Sequence, residues 1–148
     1  MLSPEAAKAL IGTDLGASDW YLIDQEMVNR FADLTNDHQF IHVNPEAAKM
    51  TPFGGTIAHG FLTLSMLAPM VETGMPKPAV QMAVNYGFDK VRFLSPVHSG
   101  KRVRGHFKLL EIEEKRPGQW QQKVEVTVEI EGADKPALIA EWLTQLFV

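Results

Sequence analysis

In the second half of the chain Val124, Val126, Val128 and Ile130 alternate with Lys123, Glu125, Thr127 and Glu129. A period of two marks a strand with one face on a core and one in water. Val103, Phe107 and Leu109 alternate in the same way with Arg102, Arg104, His106 and Lys108, and the intervening Pro117-Gly118 suits a type II turn. Met82–Phe93 and Ala137–Val148 complete a predicted set of about four long strands. The first half has helical spacing instead. Ser3 and Pro4 open a helix over Pro4–Leu10, and Trp20–Ile23 reads as a short strand. Asp24 caps a helix over Gln25–Leu34 whose apolar residues are Met27, Val28, Phe31, Ala32 and Leu34. Asn44-Pro45-Glu46 starts another, which ends near Met50 because Pro52 disfavours helix at Thr51.

After the Gly54-Gly55 loop, Ala58–Glu72 is apolar on nearly every side, through Phe61, Leu62, Leu64, Met66, Leu67, Met70 and Val71. That pattern predicts a helix buried all round, with Pro69 as a kink and Gly74 and Pro76 as its close. Helices followed by antiparallel strands define the α+β class, with a sheet wrapped around a buried helix. No repeat or linker divides residues 1–148, so one domain is expected.

Candidate chemistry concentrates in the first half. Leu34–His42 reads LTNDHQFIH and lies as a turn between two predicted helices. Asp37 and His42 are five positions apart, off any common helix face, so a bend must bring them together. A carboxylate and an imidazole so joined can hold a water between them, one taking a proton and the other giving one. As a bare pair, a turn-capping Asp and a packed His are the more common explanation. The second feature is Gly54–Phe61, GGTIAHGF, which leads into the long helix. The Gly60 N–H faces an oxyanion in one reading, and in the other Gly60 only permits close helix–sheet packing. His59 is given a positioning role. The third feature is a basic band, Lys90, Arg92, Lys101, Arg102, Arg104 and Lys108, which suits either phosphates or an ordinary solvated strand face. Asn85 and Tyr86 offer polar contacts to a ligand.

Composition removes several classes. With no cysteine there is no disulfide, Cys-bound zinc or thiol nucleophile. A net charge of -4 does not suit a nucleic-acid partner. The N-terminus lacks a signal-peptide pattern, and His59–Val71 is too short to span a bilayer, so a cytoplasmic protein with no membrane partner is expected. His38 and His42 stand at a zinc-like spacing beside Asp37, but residue 39 is Gln and the Glu of the metalloprotease motif is missing, so no metal is expected.

Together these pieces resemble the MaoC-like dehydratases, the (R)-specific enoyl-CoA hydratase group. The family signature D-x-N-P-[IL]-H corresponds to Asp37-His38-Gln39-Phe40-Ile41-His42, with Gln39 and Phe40 in place of the usual Asn and Pro. VNPEAAK, PFGGTIAHGFLTLSML and NYGFDKVRFLSPVHSGKRVR follow in the family's order, closest to the nodulation-protein-N-like branch, and the likeness runs from about Asp19 to the C-terminus. The resemblance implies a hot-dog fold, a homodimer or higher homo-oligomer, and reversible hydration of trans-2-enoyl-CoA to (R)-3-hydroxyacyl-CoA. It assigns water activation to Asp37 and His42 and the thioester oxyanion contact to Gly60. Coenzyme A enters as part of the substrate, with no separate cofactor. Substrate contacts are expected at His59, Phe61, Asn85, Tyr86 and Arg92, and an acyl tunnel along Phe61, Leu64, Met66 or Met82. A hot-dog acyl-CoA thioesterase and a non-catalytic acyl-CoA binding protein are the alternatives.

Overall fold

The computed structural model describes residues 1–148. In chain order the elements are α1 (Pro4–Ala7), continued by a 3-10 turn over Lys8–Leu10; β1 (Asp14–Ala17); β2 (Tyr21–Ile23); α2 (Gln25–Thr35); α3 (Phe40–Val43); and α4 (Pro45–Ala48). Then come α5 (Gly60–Ser65), α6 (Leu67–Gly74), β3 (Met82–Phe93), β4 (Lys101–Arg116), β5 (Gln119–Ile130) and β6 (Leu138–Phe147). The predicted caps form: Asp24 accepts the Met27 N–H at 2.9 Å and Asn44 accepts that of Ala47 at 3.1 Å. β3 and β6 lie where expected within a residue, while β4 and β5 contain the alternating runs and extend several residues beyond them toward the Pro117-Gly118 turn. Several elements differ from expectation, α3 and the central helix among them. α1 is α-helical only to Ala7, α4 stops at Ala48, and β1 is an additional short strand.

All strands pair antiparallel, in the order β1-β4-β5-β6-β3, with β2 also on β4. Gly118, at φ 76°, closes the β4–β5 hairpin, as a type II turn requires of its third residue. One face of the sheet carries the core: Val103, Phe107 and Leu109 of β4, Val124, Val126 and Val128 of β5, and Leu138, Ala140 and Leu146 of β6. They share that core with Leu62, Leu67 and Met70 from α5 and α6. Each such side chain larger than Ala contributes about 1.5–3 kcal/mol by leaving water, and together they hold the helix in the hollow of the sheet. This is the hot-dog arrangement.

The central helix is two helices rather than one. The two meet at Met66, whose backbone stays right-handed (φ −69°, ψ −10°) and whose N–H is shared between the Leu62 and Thr63 carbonyls. Pro69 thereby falls in the first turn of α6, where a missing N–H leaves no intrahelical bond unmade. Burial is also one-sided: Phe61, Ser65, Ala68 and Glu72 form an exposed stripe at helical spacing. The expectation of a helix buried all round is corrected to one with a free face. No helix is long and apolar enough to cross a membrane.

Candidate active site

α2 ends on Asn36, whose left-handed backbone (φ 58°) turns the chain sharply. Asp37 follows, its N–H returning to the Ala32 carbonyl. The segment predicted as a plain turn then winds into α3, which carries His42, and this is the bend that the spacing of Asp37 and His42 demanded. A carboxylate oxygen of Asp37 and one ring nitrogen each of His42 and His59 lie within 4.8 Å of one another. Asp37 is exposed, while His42 and His59 are 7% and 3% exposed.

Hydrogen bonding sets the tautomers. His42 Nδ1 lies 2.7 Å from the Ile57 carbonyl oxygen. A carbonyl only accepts, so Nδ1 carries the proton and Nε2 keeps its lone pair. Burial pushes the His42 pKa below its ordinary value, and the neighbouring His59 adds to this. The Ile57 bond and the Asp37 charge oppose the shift without reversing it. His42 is therefore a neutral imidazole with a free basic nitrogen at neutral pH.

His59 precedes the first residue of α5 and donates from Nε2 to the backbone carbonyl of Asp37 at 3.0 Å. Its ring stacks on His42 with centroids 3.9 Å apart and planes 24° apart, and tilts against Phe31 at 5.0 Å. The positioning role expected of His59 thus has a physical basis: it ties the Asp37 loop to the helix start. The same stacking argues against a shared metal ion. A bound ion lies near the plane of each imidazole that holds it, and two nearly parallel rings, one above the other, share no such point. His38, the other candidate ligand, bonds Asp33 at 2.7 Å and stays outside the cluster.

Gly60 opens α5, and a Cβ there would come within 3.0 Å of the Phe93 ring. The close-packing reading of Gly60 is thus supported, alongside an unblocked helix start. The bracing of the Asp37–His42 loop lies elsewhere than at Gln39, whose side chain makes no hydrogen bond. Gln25, at the start of α2, donates to the His42 carbonyl at 2.8 Å and accepts from Thr56 Oγ at 2.5 Å. Ile57 N–H reaches the Ile41 carbonyl at 3.0 Å. Gln25 was missed from the sequence because a Gln at the first position of an amphipathic helix looks like a solvent-facing residue.

Other expected site residues lie apart from this cluster within one chain. Phe61 is exposed and meets Phe93 edge-on at 6.2 Å. Leu64 and Met66 are half-buried, and Met82 is exposed on β3. Tyr86 and Arg92 are exposed on the same strand, and Arg92 donates to the Val91 carbonyl. Asn85 lines a cavity against α6. Two members of the basic band, Arg102 and Arg104, are ion-paired across the strand face. Arg102 makes a two-pronged pair with Glu131 at 2.6 and 2.7 Å, and Arg104 pairs with Glu129 at 2.7 Å. Arg104 also covers the Trp20 ring.

A helix held in an antiparallel sheet defines a hot-dog protein, and an Asp/His pair stands beside the helix start. Residues 6–133 match the model of the MaoC like domain, and the chain belongs to that family, a family of hydro-lyases. It is 56% identical to nodulation protein N of Rhizobium leguminosarum bv. viciae over 136 residues, 90% of this chain and 84% of that one. It is 50% identical to 3-hydroxyacyl-thioester dehydratase Z of Mycobacterium tuberculosis over 133 residues, 90% of this chain and 88% of that one. Among solved structures, a MaoC-like dehydratase from Rhodospirillum rubrum superposes with a TM-score of 0.77 at 21% identity, over 93% of this chain and 92% of that one.

Proposed function

We propose that this protein is an (R)-specific enoyl-CoA hydratase, adding water reversibly to trans-2-enoyl-CoA to give (R)-3-hydroxyacyl-CoA. The observation that carries this reading is the neutral His42, with Nδ1 held by Ile57 and Nε2 free, in a ring with a nitrogen within 4.8 Å of the Asp37 carboxylate near the start of α5. A water held between the two gives a proton to His42 Nε2 as its oxygen bonds to Cβ. The electron pair of the double bond moves toward the thioester oxygen, where the Gly60 N–H meets the developing charge. The imidazolium then returns the proton to Cα. The dehydratase named among its relatives handles the same functional group in the reverse sense.

The protein works in the cytoplasm as a homodimer. Support for the dimer comes from β3, which pairs only with β6 and leaves its other edge open. Met82, Val84, Tyr86 and Phe93 stand exposed on it. A long apolar edge strand invites pairing with a second chain, and the free stripe of the central helix lies exposed as well. The test of function follows crotonyl-CoA hydration at the enoyl absorbance for wild type, Asp37→Asn and His42→Gln. Loss of at least about a hundredfold in both, with the fold kept, is expected. Near-normal rates in either variant refute the assignment, and thiol release without loss of the enoyl absorbance points to a thioesterase.

A further inference from the structure

His59 uses only half of its imidazole for hydrogen bonding. Its Nε2–H donates to the Asp37 carbonyl at 3.0 Å, while Nδ1 is buried and has no partner. An unmatched buried acceptor costs stability, and a phenylalanine would fill the same space without one. The bond alone does not call for a ring, and the ring alone does not call for an N–H. A histidine supplies both at once.

The ring stacks on His42 with centroids 3.9 Å apart and planes 24° apart. Rings that close leave no room for a water between them, so one whole face of His42 is dry. Phe31 of α2 packs against the same His59 ring at 5.0 Å and steadies it. Two titratable groups face His42: Asp37, from the loop before α3, and His59, from the segment before α5. α2 contributes the neutral Gln25 amide, and Ile57 contributes its carbonyl. Burial is the largest cause of the lowered His42 pKa, ahead of either neighbouring charge. Whatever keeps water off that ring therefore governs the base.

We propose that His59 is a positioning residue with two separable duties: its ring face shields His42 from water, and its Nε2–H tethers the Asp37 loop beside that shielded ring. One side chain thus prepares both members of the pair without touching the reacting atoms. The effect on rate rests on the hydration reading above; the shield and the tether are each measured without turnover.

The test follows the His42 Cε1–H signal by NMR as pH is varied in the full-length protein, with His42→Gln to assign it and circular dichroism to check the fold of each variant. His59→Phe keeps a flat ring and loses the N–H. It should leave the His42 midpoint below 6.5. The Asp37 N–H, bonded to Ala32 at 3.1 Å, should then exchange about tenfold faster as the loop slackens. kcat for crotonyl-CoA hydration should fall about tenfold above pH 7. His59→Gln puts an amide N–H near the place of Nε2 and loses the ring, so the His42 midpoint should rise toward 6.5. Phe31→Leu, which loosens the stack and leaves the bond, should move the midpoint the same way by less, and it carries the test of the shield if His59→Gln does not fold. A midpoint that stays in place in His59→Gln, or that rises as far in His59→Phe, overturns the shield. Exchange at the wild-type rate in His59→Phe overturns the tether. Both results stand whether or not the protein hydrates crotonyl-CoA, so a failure of the hydration reading is seen separately.

Discussion

Replacing Gln25 by Met keeps the volume of the side chain and removes its amide. Two partners inside the site lose a bond: the His42 carbonyl, bonded at 2.8 Å, and the Thr56 hydroxyl, bonded at 2.5 Å. The Thr56 hydroxyl retains Ser99 at 2.9 Å, so its loss is the smaller, about 1 kcal/mol. The carbonyl loses its side-chain donor beside a buried ring, for about 1–2 kcal/mol. The bond to the exposed Asn29 adds little. A total of about 2–3 kcal/mol corresponds to a fall in Tm of roughly 5–10 °C for a chain of this size. The effect on rate has a separate origin. α3 has four residues and cannot hold itself together alone, so His42 is placed by what grips its backbone. Slackening that grip should lower kcat for crotonyl-CoA hydration about ten- to hundredfold, since misplacements of about 1 Å have such effects. Thermal unfolding and initial rates on one preparation test both halves. A Tm within about 1 °C of wild type refutes the bonding argument. A lower Tm with unchanged kcat refutes the positioning argument.

The depressed pKa of His42 has two consequences. Hydration measured as kcat/KM should fall on the acid side with a midpoint below the ordinary histidine value of 6.5, and a midpoint at or above 6.5 contradicts the buried neutral imidazole. The unfolded chain takes up the proton first, so the contribution of His42 to stability is complete above 6.5 and is lost as pH falls from there toward the lower folded value; urea midpoints between pH 7 and 5 should show this slope, and His42→Gln should reduce it. Gly74→Ala should cost about 2–3 kcal/mol in urea unfolding. Its Cβ would stand 2.5 Å from the ring of the buried Phe107 and 2.8 Å from the Ser18 backbone N, whereas Gly55→Ala, with open space around it, should be near neutral; equal effects would refute the packing argument. Val84→Lys on the free edge of β3 should shift sedimentation from dimer to monomer with the fold kept, and a wild type that sediments as a monomer at tens of micromolar would remove the basis for edge pairing.

The elements that alternation or capping announces formed where expected, because each depends on residues close in sequence. The β4–β5 hairpin needed only two alternating runs and a Pro-Gly turn, and α2 needed Asp24 and a periodic apolar face. What stayed hidden depends on partners far along the chain. β1 has no hydrophobic run, and it exists because Asp14–Ala17 lies along an edge of β4. The free face of the central helix looked buried because periodicity records which side chains are apolar and not what covers them. The choice between phosphates and an ordinary strand face stayed open for Arg102 and Arg104 until the sheet register set Glu129 and the β5–β6 connection brought Glu131 against them.

The candidate site divides along the same line. The types of residue needed for water chemistry were legible in Asp37 and His42, but the reason they meet was not. Three long-range contacts make the pair: the Ile57 carbonyl on His42 Nδ1, the His59 ring stacked on His42 while bonding the Asp37 carbonyl, and the Gln25 amide on the His42 carbonyl. Two of them arise in the segment that leads into α5, so the helix start and the Asp37 loop are a single mechanical unit. This explains how the loop keeps its shape with Gln39 and Phe40 between Asp37 and His42. Neither side chain is asked to brace it, because backbone bonds from Ile57, the His59 ring and Gln25 already do.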